Sequence, residues 1–354
     1  MDKSMDDWTE ILIPRTATIG DAIRVLDSSN FKTCLIVDEA KNLKGTVTDG
    51  DIRRGMLRSF GLDDPVEEIM NRSPQVLRRG HEQGDTLQLM TALHVNLIPI
   101  LDDGDRVVGL EVLDQFAGPG KQCENWVVLM AGGLGTRLRP VTENMPKPLV
   151  QVGNKPLMET TLESFISQGF SRFYISVNYK SEMIRKHFGD GGKWDVEIRY
   201  VEEDKRMGTA GALRLLAGRP DAPLIIMNAD VLTRINFRDL LTYHHHHDSR
   251  ATMCIREYNH RVPFGVVQID EHRITGIDEK PIQICFVNAG IYVLAPEMID
   301  LIPEDKQYDM TTLFERIIAA GHSTAVFPIR EYWVDVGRMD DLDQANSEFP
   351  GEFG

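Results

Sequence analysis

Residues 131–140 read AGGLGTRLRP and directly follow the run WVVLM at residues 126–130. A short uncharged apolar run of this kind predicts a buried strand. The glycines behind it allow the backbone to approach an anion closely and to direct N–H groups at it. Arg137 adds a planar fork of donors that suits a pair of phosphate oxygens, and Lys147 follows between two stiff prolines. This combination predicts a polyphosphate site.

Two better-known phosphate loops do not fit this segment. No Gly-Lys-Ser/Thr follows the glycines, as a Walker A loop requires, and Leu138 stands where the dinucleotide-binding fingerprint has its third glycine. Strand patterns alternate with helical patterns over residues 172–227, which predicts a doubly wound, mostly parallel α/β sheet. Ligands bind such sheets beyond the carboxyl ends of the strands. Asp230 ends the apolar run at 225–230 and falls at such a position.

The compound pattern GGxGTRLxP followed by PKP resembles the signature of the sugar-nucleotide pyrophosphorylases, which are NTP: sugar-1-phosphate nucleotidyltransferases. Further motifs occur in the family's order, and the resemblance covers residues 126–342. It implies a Rossmann-like domain in which a sugar-1-phosphate oxygen attacks the α-phosphorus of an NTP and pyrophosphate leaves. The attacking phosphate is already an anion, so catalysis must come from alignment and from neutralising charge.

The resemblance also implies the role of individual residues. Arg137 would stabilise the departing pyrophosphate, Lys147 would contact the α-phosphate region, and Lys280 would bind the incoming sugar phosphate. Asp230 and Asp335 would hold Mg²⁺, which usually takes one or two carboxylates together with phosphate oxygens. The implied nucleotide-binding residues are Leu129, Ala131, Gly132, Gly133, Gly135, Thr136, Glu203, Gly208, Thr209 and Ala210. The implied sugar-phosphate residues are Gly265, Glu279, Lys280, Asn288 and Gly290.

Glu203 bears on the choice of nucleobase. A carboxylate accepts hydrogen bonds but cannot donate them. Guanine offers a paired N–H edge, whereas uracil and thymine each offer one N–H between two acceptors, so Glu203 favours GTP. The alternative is that Glu203 belongs to a solvated acidic run at residues 202–204.

The first third of the chain contains an internal repeat. Gly20-Asp21 recurs as Gly84-Asp85, and Gly45 recurs as Gly109, in each case 64 positions later. Each copy reads as helix, strand, turn, strand and closing helix, so its exposed apolar sheet face must pack on its twin. A pseudo-two-fold pair is therefore expected. The repeat resembles a tandem pair of CBS domains, with copies at about 8–60 and 66–118.

The resemblance implies a regulatory nucleotide site in the first copy, formed by Thr46, Thr48 and Asp49. In nucleotide-binding CBS modules the aspartate at the position of Asp49 accepts from ribose hydroxyls. The second copy departs from this pattern, because Leu113 stands opposite Asp49. The alternative is that Thr48 and Asp49 only cap a helix that begins at Asp51. An adenine or guanine nucleotide, or a GDP-sugar, is the expected ligand, and CBS pairing implies a homo-oligomer.

A CBS pair in front of such a domain resembles the bacterial glucosamine-1-phosphate guanylyltransferases of legionaminic acid biosynthesis. Mannose- or heptose-1-phosphate guanylyltransferases and glucose-1-phosphate thymidylyl- or uridylyltransferases are the alternatives within the family. A non-catalytic nucleotide sensor is the alternative from another class. The expected division is a CBS module at 1–118, a linker at 119–124 and a nucleotidyltransferase domain at 125–354.

Composition limits the classes of protein and of partner that are compatible with this chain. The chain has 354 residues, 42% of them hydrophobic and 26% charged, which is typical of a folded globular protein. The net charge of −15 disfavours nucleic acid as a partner. Four scattered cysteines, no secretory h-region and no long apolar run predict a cytoplasmic protein without a membrane partner. The four histidines at 244–247 are expected to form a solvated helix end.

Overall fold

A computed structural model describes residues 8–29, 31–80, 86, 89, 90, 95, 97–112 and 122–353. The chain divides into two compact units, 1–121 and 122–354. Most of the helix predicted at 84–93, together with Leu113 and the linker residues 119–121, lies outside the described residues.

The first unit contains two helices and six strands among its described residues. The helices are α1 (Ile19–Ser28) and α2 (Asp49–Leu57), with 3₁₀ turns at Trp8–Ile11 and Val66–Glu68. The strands are β1 (Leu12–Pro14), β2 (Thr33–Val37), β3 (Leu43–Thr48), β4 (Leu77–Arg78), β5 (Leu97–Leu101) and β6 (Val107–Val112). They form two three-stranded sheets, in the orders β1-β2-β3 and β4-β5-β6.

The two sheets repeat each other at the same offset as the sequence. The parallel pair Ile13 and Ile36 in the first sheet corresponds to the parallel pair Leu77 and Ile100 in the second. The antiparallel register also shifts directly after Ile36 in one sheet and directly after Ile100 in the other. A shared irregularity at one offset shows that the two copies have the same backbone design.

A pair of reciprocal hydrogen bonds relates the copies by a local two-fold axis. Leu43 N donates to Asp105 O at 3.0 Å, and Val107 N donates to Lys41 O at 3.2 Å. Because Val107 and Asp105 are the repeats of Leu43 and Lys41, each bond is the image of the other. The apolar faces of the sheets meet in a cluster that includes Ile11, Leu35, Val37, Leu97, Leu101 and Val107.

The second unit is a layered α/β domain. Its strands are β7 (Val127–Met130), β8 (Gln151–Val152), β9 (Lys155–Pro156), β10 (Arg172–Val177), β11 (Glu197–Glu202), β12 (Leu224–Asn228), β13 (Val231–Thr233), β14 (Ala251–Arg261), β15 (Val266–Asp270), β16 (Arg273–Asp278), β17 (Ile282–Leu294), β18 (Thr324–Ile329) and β19 (Trp333–Asp335). Its helices are α3 (Leu157–Ser167), α4 (Ser181–Phe188), α5 (Gly208–Gly211), α6 (Phe237–His246), α7 (Met310–Ala319) and α8 (Met339–Glu352).

Seven strands form the central sheet in the order β11-β10-β7-β12-β17-β14-β18. Strands β7, β10, β11 and β12 run parallel, as predicted, and β17 runs antiparallel to both of its neighbours. Helices and loops cover both faces, so each strand of the centre carries apolar residues on both sides. Val127 and Leu129 face one core cluster, and Val128 faces the other. The mostly parallel α/β class is confirmed.

No helix within the described part of the chain is long and apolar enough to cross a membrane. The histidine run does end a helix, since α6 ends at His246, but the expectation that all four are solvated is wrong for His244. The His244 side chain is buried, and its Nδ1 lies 2.8 Å from Thr252 Oγ1. Helical periodicity turns this one position of the four toward the core.

Burial lowers the pKa of His244 to about 4, with further lowering by the nearby His245 and Arg250. Between pH 6.5 and 4 the unfolded chain therefore binds a proton at this site that the folded protein does not bind. We expect the free energy of unfolding to fall as pH falls through this window. His244→Asn should remove on the order of 1 kcal/mol of that loss between pH 6.5 and 5.

Urea unfolding at pH 7, 6 and 5 measures this effect. His245→Asn is the matched control, because His245 is the exposed neighbour on the same helix. An equal pH dependence in His244→Asn and in the unsubstituted protein would contradict the assignment.

Candidate active site

The glycine loop begins where β7 ends. Ala131 N donates to Ser176 O at 2.9 Å, which fixes the start of the loop against β10. Gly135 has a φ of 63°, in the left-handed region, and Thr142 Oγ1 donates to its carbonyl at 2.7 Å. A Cβ on Gly135 would lie 3.2 Å from Lys147 Cβ. Glycine at this position therefore allows the loop and the segment that carries Lys147 to come together.

Lys147 lies between two carboxylates. Its Nζ is 2.5 Å from Asp230 Oδ2 and 4.0 Å from Asp335 Oδ1, and only 10% of its side chain is exposed. The predicted residues Lys147, Asp230 and Asp335 come from three distant parts of the sequence, and the fold brings them together. A cation buried to this degree requires a paired anion.

A short antiparallel ladder places the two aspartates side by side. Strand β13 pairs with β19, with Val231 opposite Asp335, and Val336 N donates to Asp230 O at 2.9 Å. The Trp333 indole N–H donates to Ala289 O at 2.9 Å and ties β19 to β17. The separation of the two carboxylates is thus set by backbone pairing.

Arg137 lies near Asp335 and Gly337. Its guanidinium nitrogens are 3.6 Å from the position that a Cβ on Gly337 would take, and Asp335 Oδ1 is 3.5 Å from the same point. Burial raises the pKa of Asp335, and the charge of Asp230 raises it further, while Lys147 and Arg137 oppose the shift. The folded chain thus holds two carboxylates close together at a cost that a bound cation would relieve.

The donor set of this cluster fits a hard divalent cation. Asp335 Oδ1 is a buried oxygen without a hydrogen-bond partner, and Asn228 Oδ1 is another. Mg²⁺ takes oxygen ligands and is usually held by one or two carboxylates together with phosphate oxygens. The described residues contain no cluster of three or more His, Cys, Asp and Glu side chains that could hold a metal ion. The arrangement therefore suits a metal that arrives with a phosphate, and not an all-protein cage.

Glu203 points into the protein beside the glycine loop. Ser176 Oγ lies 2.5 Å from its Oε1, and Met207 N donates to its Oε2 at 3.0 Å. A Cβ on Gly132 would lie 2.6 Å from Glu203 Oε1, so only glycine at this position leaves room for the carboxylate. Glu203 is buried while its neighbours Glu202 and Asp204 are exposed. Glu203 is therefore not part of a solvated acidic run. Each oxygen keeps further acceptor capacity.

Gly208, Thr209 and Ala210 contact residues 308–310 of the protein. A Cβ on Gly208 would lie 2.6 Å from both Asp309 Oδ1 and Tyr308 O, and Thr209 Oγ1 accepts from Met310 N at 2.8 Å. The close approach that Gly208 allows is therefore made by residues 308–309.

The predicted sugar-phosphate residues divide into two groups. Gly265, Glu279 and Lys280 are exposed, and a Cβ on Gly265 would lie 3.0 Å from Glu279 Oε2. Asn288 accepts from Gly290 N at 2.9 Å and donates to the Tyr292 hydroxyl at 2.8 Å.

Gly290 brings this second group against Asn228, the last residue of β12. Its φ is 72°, and a Cβ there would lie 2.8 Å from Asn228 Nδ2.

Sequence reasoning missed three residues at this edge of the sheet: Asn228, Ser176 and Asp309. Asn228 is the last residue of β12, and a polar residue two positions before Asp230 was the available signal. Ser176 and Asp309 carry no local signal, because each reaches its partner across more than 25 residues of sequence.

The first unit places the predicted regulatory residues as follows. Thr48 caps α2, which begins at Asp49 and not at Asp51, and the Asp51 carboxylate accepts from Thr48 N at 2.8 Å. Asp49 is 2.5 Å from the guanidinium of Arg53, whose side chain is buried. Thr46 is also buried, and its backbone pairs with Asn71.

A cleft of about 740 Å³ is lined mostly by residues of the second repeat, together with Trp8 of the first. Its lining residues are Trp8, Arg79, Gly80, Ile100, Val107, Val108 and Glu111.

The mostly parallel sheet, with its glycine loop and paired aspartates at one edge, defines a Rossmann-like domain of the nucleotidyltransferase class. The sequence profile described as Nucleotidyl transferase matches residues 126–351, and the chain belongs to that family. A CBS domain profile matches residues 8–58.

Curated relatives carry names of this class, and solved structures share the fold. Mannose-1-phosphate guanyltransferases from Pichia angusta and Yarrowia lipolytica are 33% and 34% identical over 224 residues, which is 61% of this chain and 61% of each relative's length. HddC from Yersinia pseudotuberculosis has a TM-score of 0.50 at 25% identity, covering 64% of this chain and 99% of that one. A Bacillus anthracis structure assigned as a glucose-1-phosphate thymidylyltransferase has a TM-score of 0.52 at 22% identity, covering 62% and 93%.

Asp335→Asn separates folding from metal binding. Removing one of two adjacent carboxylates relieves the cost of holding both charges, so without metal the melting temperature should stay constant or rise by up to about 2 °C. The stabilisation that Mn²⁺ adds in the presence of a nucleoside triphosphate should be lost.

Thermal melting with EDTA, and with Mn²⁺ plus GTP, measures both effects. Asp340→Asn is the control, because Asp340 is an exposed carboxylate nearby in the sequence. An undiminished Mn²⁺ effect in Asp335→Asn would refute the metal assignment.

Proposed function

We propose that this protein transfers GMP from GTP to a sugar-1-phosphate, with release of pyrophosphate. The observation that carries the proposal is the contact of Lys147 with Asp230 and Asp335 beside the glycine loop. Cations and a pair of metal-ligating carboxylates at the carboxyl edge of a parallel sheet meet the needs of phosphate transfer. The mannose-1-phosphate guanyltransferase relatives support the class of reaction.

The residues of the cluster act by positioning and by neutralising charge. Backbone N–H groups of the loop at 132–135 bind the nucleotide phosphates, and Arg137 stabilises the leaving pyrophosphate. Lys147 exchanges its contact with Asp230 for the α-phosphate when the nucleotide binds. Asp230 and Asp335 would hold Mg²⁺, which would supply positive charge to the phosphate oxygens. Lys280 and Glu279 bind the sugar phosphate and its hydroxyls.

The carboxylate of Glu203 supports guanine as the base. Its two oxygens lie beside the loop at Gly132 and can accept from the paired N–H edge of guanine while retaining their contacts with Ser176 and Met207. Uracil and thymine would place carbonyl acceptors against the same carboxylate. A carboxylate that faces carbonyl oxygens makes no hydrogen bond to them, and both groups are left unpaired. The affinity for a uracil or thymine nucleotide is therefore lower.

We propose glucosamine-1-phosphate as the sugar substrate, in a cytoplasmic reaction, with mannose-1-phosphate as the principal alternative. The union of a CBS module with this transferase supports the first, and the curated relatives support the second. Pyrophosphate release should be measured with four NTPs against glucosamine-, mannose-, glucose- and heptose-1-phosphates. Turnover of GTP with glucosamine-1-phosphate above all other pairs is the expected result.

Two variants test the phosphate cluster in that assay. Asp230→Asn and Arg137→Ala should each lower kcat by at least about 100-fold, because each removes charge stabilisation from the reacting phosphates. Arg137→Ala should retain the melting temperature of the parent to within a few degrees, whereas Asp230→Asn removes the nearest anion of the buried Lys147 and should lower it, so turnover is measured well below both melting temperatures. Arg139→Ala removes an exposed arginine two residues away and is the matched control. Turnover of either test variant at the level of the control would refute the proposal.

Glu203→Gln tests whether Glu203 recognises the base of the nucleotide. The Ser176 hydroxyl can accept from the new amide, and the remaining carbonyl can accept from Met207 N, so the fold should survive. The ratio of kcat/KM for GTP over UTP should fall by about 10-fold or more. Glu202→Gln changes the exposed neighbour and should leave the ratio unchanged. A retained ratio in Glu203→Gln would remove Glu203 from base recognition.

We also propose that the CBS module binds a purine nucleotide and changes transferase activity. Because Asp49 is paired with the buried Arg53, a ribose must compete for that carboxylate. Calorimetry of the full chain with AMP, ATP, GTP and a GDP-sugar should detect binding that Asp49→Asn weakens. Asn retains an acceptor for Arg53. Binding that Glu111→Gln weakens instead would place the ligand in the cleft of the second repeat.

A non-catalytic nucleotide sensor is the rival function. It predicts calorimetric binding at the first unit with no pyrophosphate release for any pair of substrates. Absence of binding for all of these nucleotides would limit the CBS module to a role in assembly.

A further inference from the structure

Asn228 lies at the centre of the carboxyl edge of the sheet. It is the last residue of β12 and pairs with Met130, which ends β7 directly before the glycine loop. On the other side of β12, Met227 pairs with Ile291 of β17, and Gly290 is the next residue along that strand. A Cβ on Gly290 would lie 2.8 Å from Asn228 Nδ2. The Asn228 amide therefore lies between the glycine loop and β17.

The amide oxygen of Asn228 is not used by the fold. Oδ1 is buried and has no hydrogen-bond partner. Buried polar atoms without a partner cost free energy and are rare in folded proteins. Asn228 as a whole is half-buried, and no hydrogen bond to Oδ1 opposes a rotation of the amide about the Cβ–Cγ bond toward a ligand. An unpartnered acceptor at this edge of the sheet indicates a donor that arrives with the ligand.

The neighbouring amide of Asn288 is in the opposite state. Gly290 N donates to Asn288 Oδ1 at 2.9 Å. Because a backbone N–H can only donate, the amide nitrogen must face the other way, where it donates to the Tyr292 hydroxyl at 2.8 Å. The fold thus fixes both ends of the Asn288 amide. The sequence predicts Asn288 as a sugar-binding residue, whereas the uncommitted amide oxygen belongs to Asn228.

The position of Asn228 selects one part of the sugar substrate. Asn228 is two residues from Asp230, and two residues of chain span at most about 7 Å. In the proposed reaction the phosphate on C1 of the sugar lies at the cluster of Lys147, Asp230 and Asp335. The ring neighbours of C1 are the ring oxygen, which has no proton to donate, and C2. The donor that meets the Asn228 oxygen is therefore the substituent on C2.

We propose that Asn228 determines sugar specificity by accepting a hydrogen bond from the amino group on C2 of glucosamine-1-phosphate. This inference rests on the proposed function and extends it to one atom of the substrate. A protonated amino group only donates, so it matches a carbonyl oxygen that has no other partner. A hydrogen bond from a charged donor is also stronger than one from a neutral hydroxyl, which is what mannose- and glucose-1-phosphates offer on C2.

Turnover of 2-deoxyglucose-1-phosphate tests the contact on the full chain, because this substrate has no polar substituent on C2. Asn228→Leu removes the amide and keeps a side chain of similar size. We expect the ratio of kcat/KM for glucosamine-1-phosphate over 2-deoxyglucose-1-phosphate to fall by about 10-fold or more in Asn228→Leu. KM for GTP should stay constant. The melting temperature should stay constant or rise, because a buried oxygen without a partner is removed.

Asn288→Leu is the matched comparison, since it removes the neighbouring amide. It should lower the melting temperature, because Gly290 N and the Tyr292 hydroxyl lose their partner. It should reduce kcat/KM for both sugar phosphates to a similar extent, so the ratio should stay as in the unsubstituted protein. A ratio that falls in Asn288→Leu and not in Asn228→Leu would assign the contact to Asn288 and overturn the proposal.

Two further results would overturn it. The first is an unchanged ratio in Asn228→Leu. The second is the loss, in that variant, of the thermal stabilisation by Mn²⁺ with GTP, which would make Asn228 a metal ligand. If the unsubstituted protein turns over no sugar-1-phosphate with GTP, the proposed function and this inference both fail. Turnover with an unchanged ratio refutes the inference alone.

Discussion

The buried contact of Lys147 with the carboxylates of Asp230 and Asp335 is the interaction on which the second unit depends. An ammonium group that is only 10% exposed cannot be left unpaired, so at least one carboxylate must lie within reach of it. Backbone pairing of β13 with β19 delivers the two aspartates. Gly135, with its left-handed φ, permits the glycine loop to pack directly on the lysine segment.

The same interaction leaves the two carboxylates incompletely neutralised and incompletely hydrogen-bonded. Two carboxylates share one lysine, the pKa of Asp335 is raised, and its Oδ1 lacks a hydrogen-bond partner. Strain of this kind is typical of functional sites, where stability is given up for binding. A cation bound between the two carboxylates would meet these demands.

Much of this arrangement could be predicted from local patterns. The run at 126–130 forms β7, Ile19–Ser28 form the predicted helix, and the 64-residue repeat reappears as two sheets with the same register. These features depend on periodicity and turn chemistry, which are properties of neighbouring residues. The burial of His244 could have been expected from the period of its helix, since one residue in each turn faces the core.

The sequence by itself determined the mostly parallel α/β class, the duplicated first unit and the residue types of the cluster around Lys147. Each of these follows from the spacing of residues that are close in the sequence. Only the tertiary structure decided which partners those residues have. Glu203 turns inward to Ser176 and Met207, Gly208 makes room for residues 308–309, and Asp49 is paired with Arg53. Local spacing limits the faces that a side chain can use, whereas its contacts depend on chain segments that only folding brings within a few ångströms.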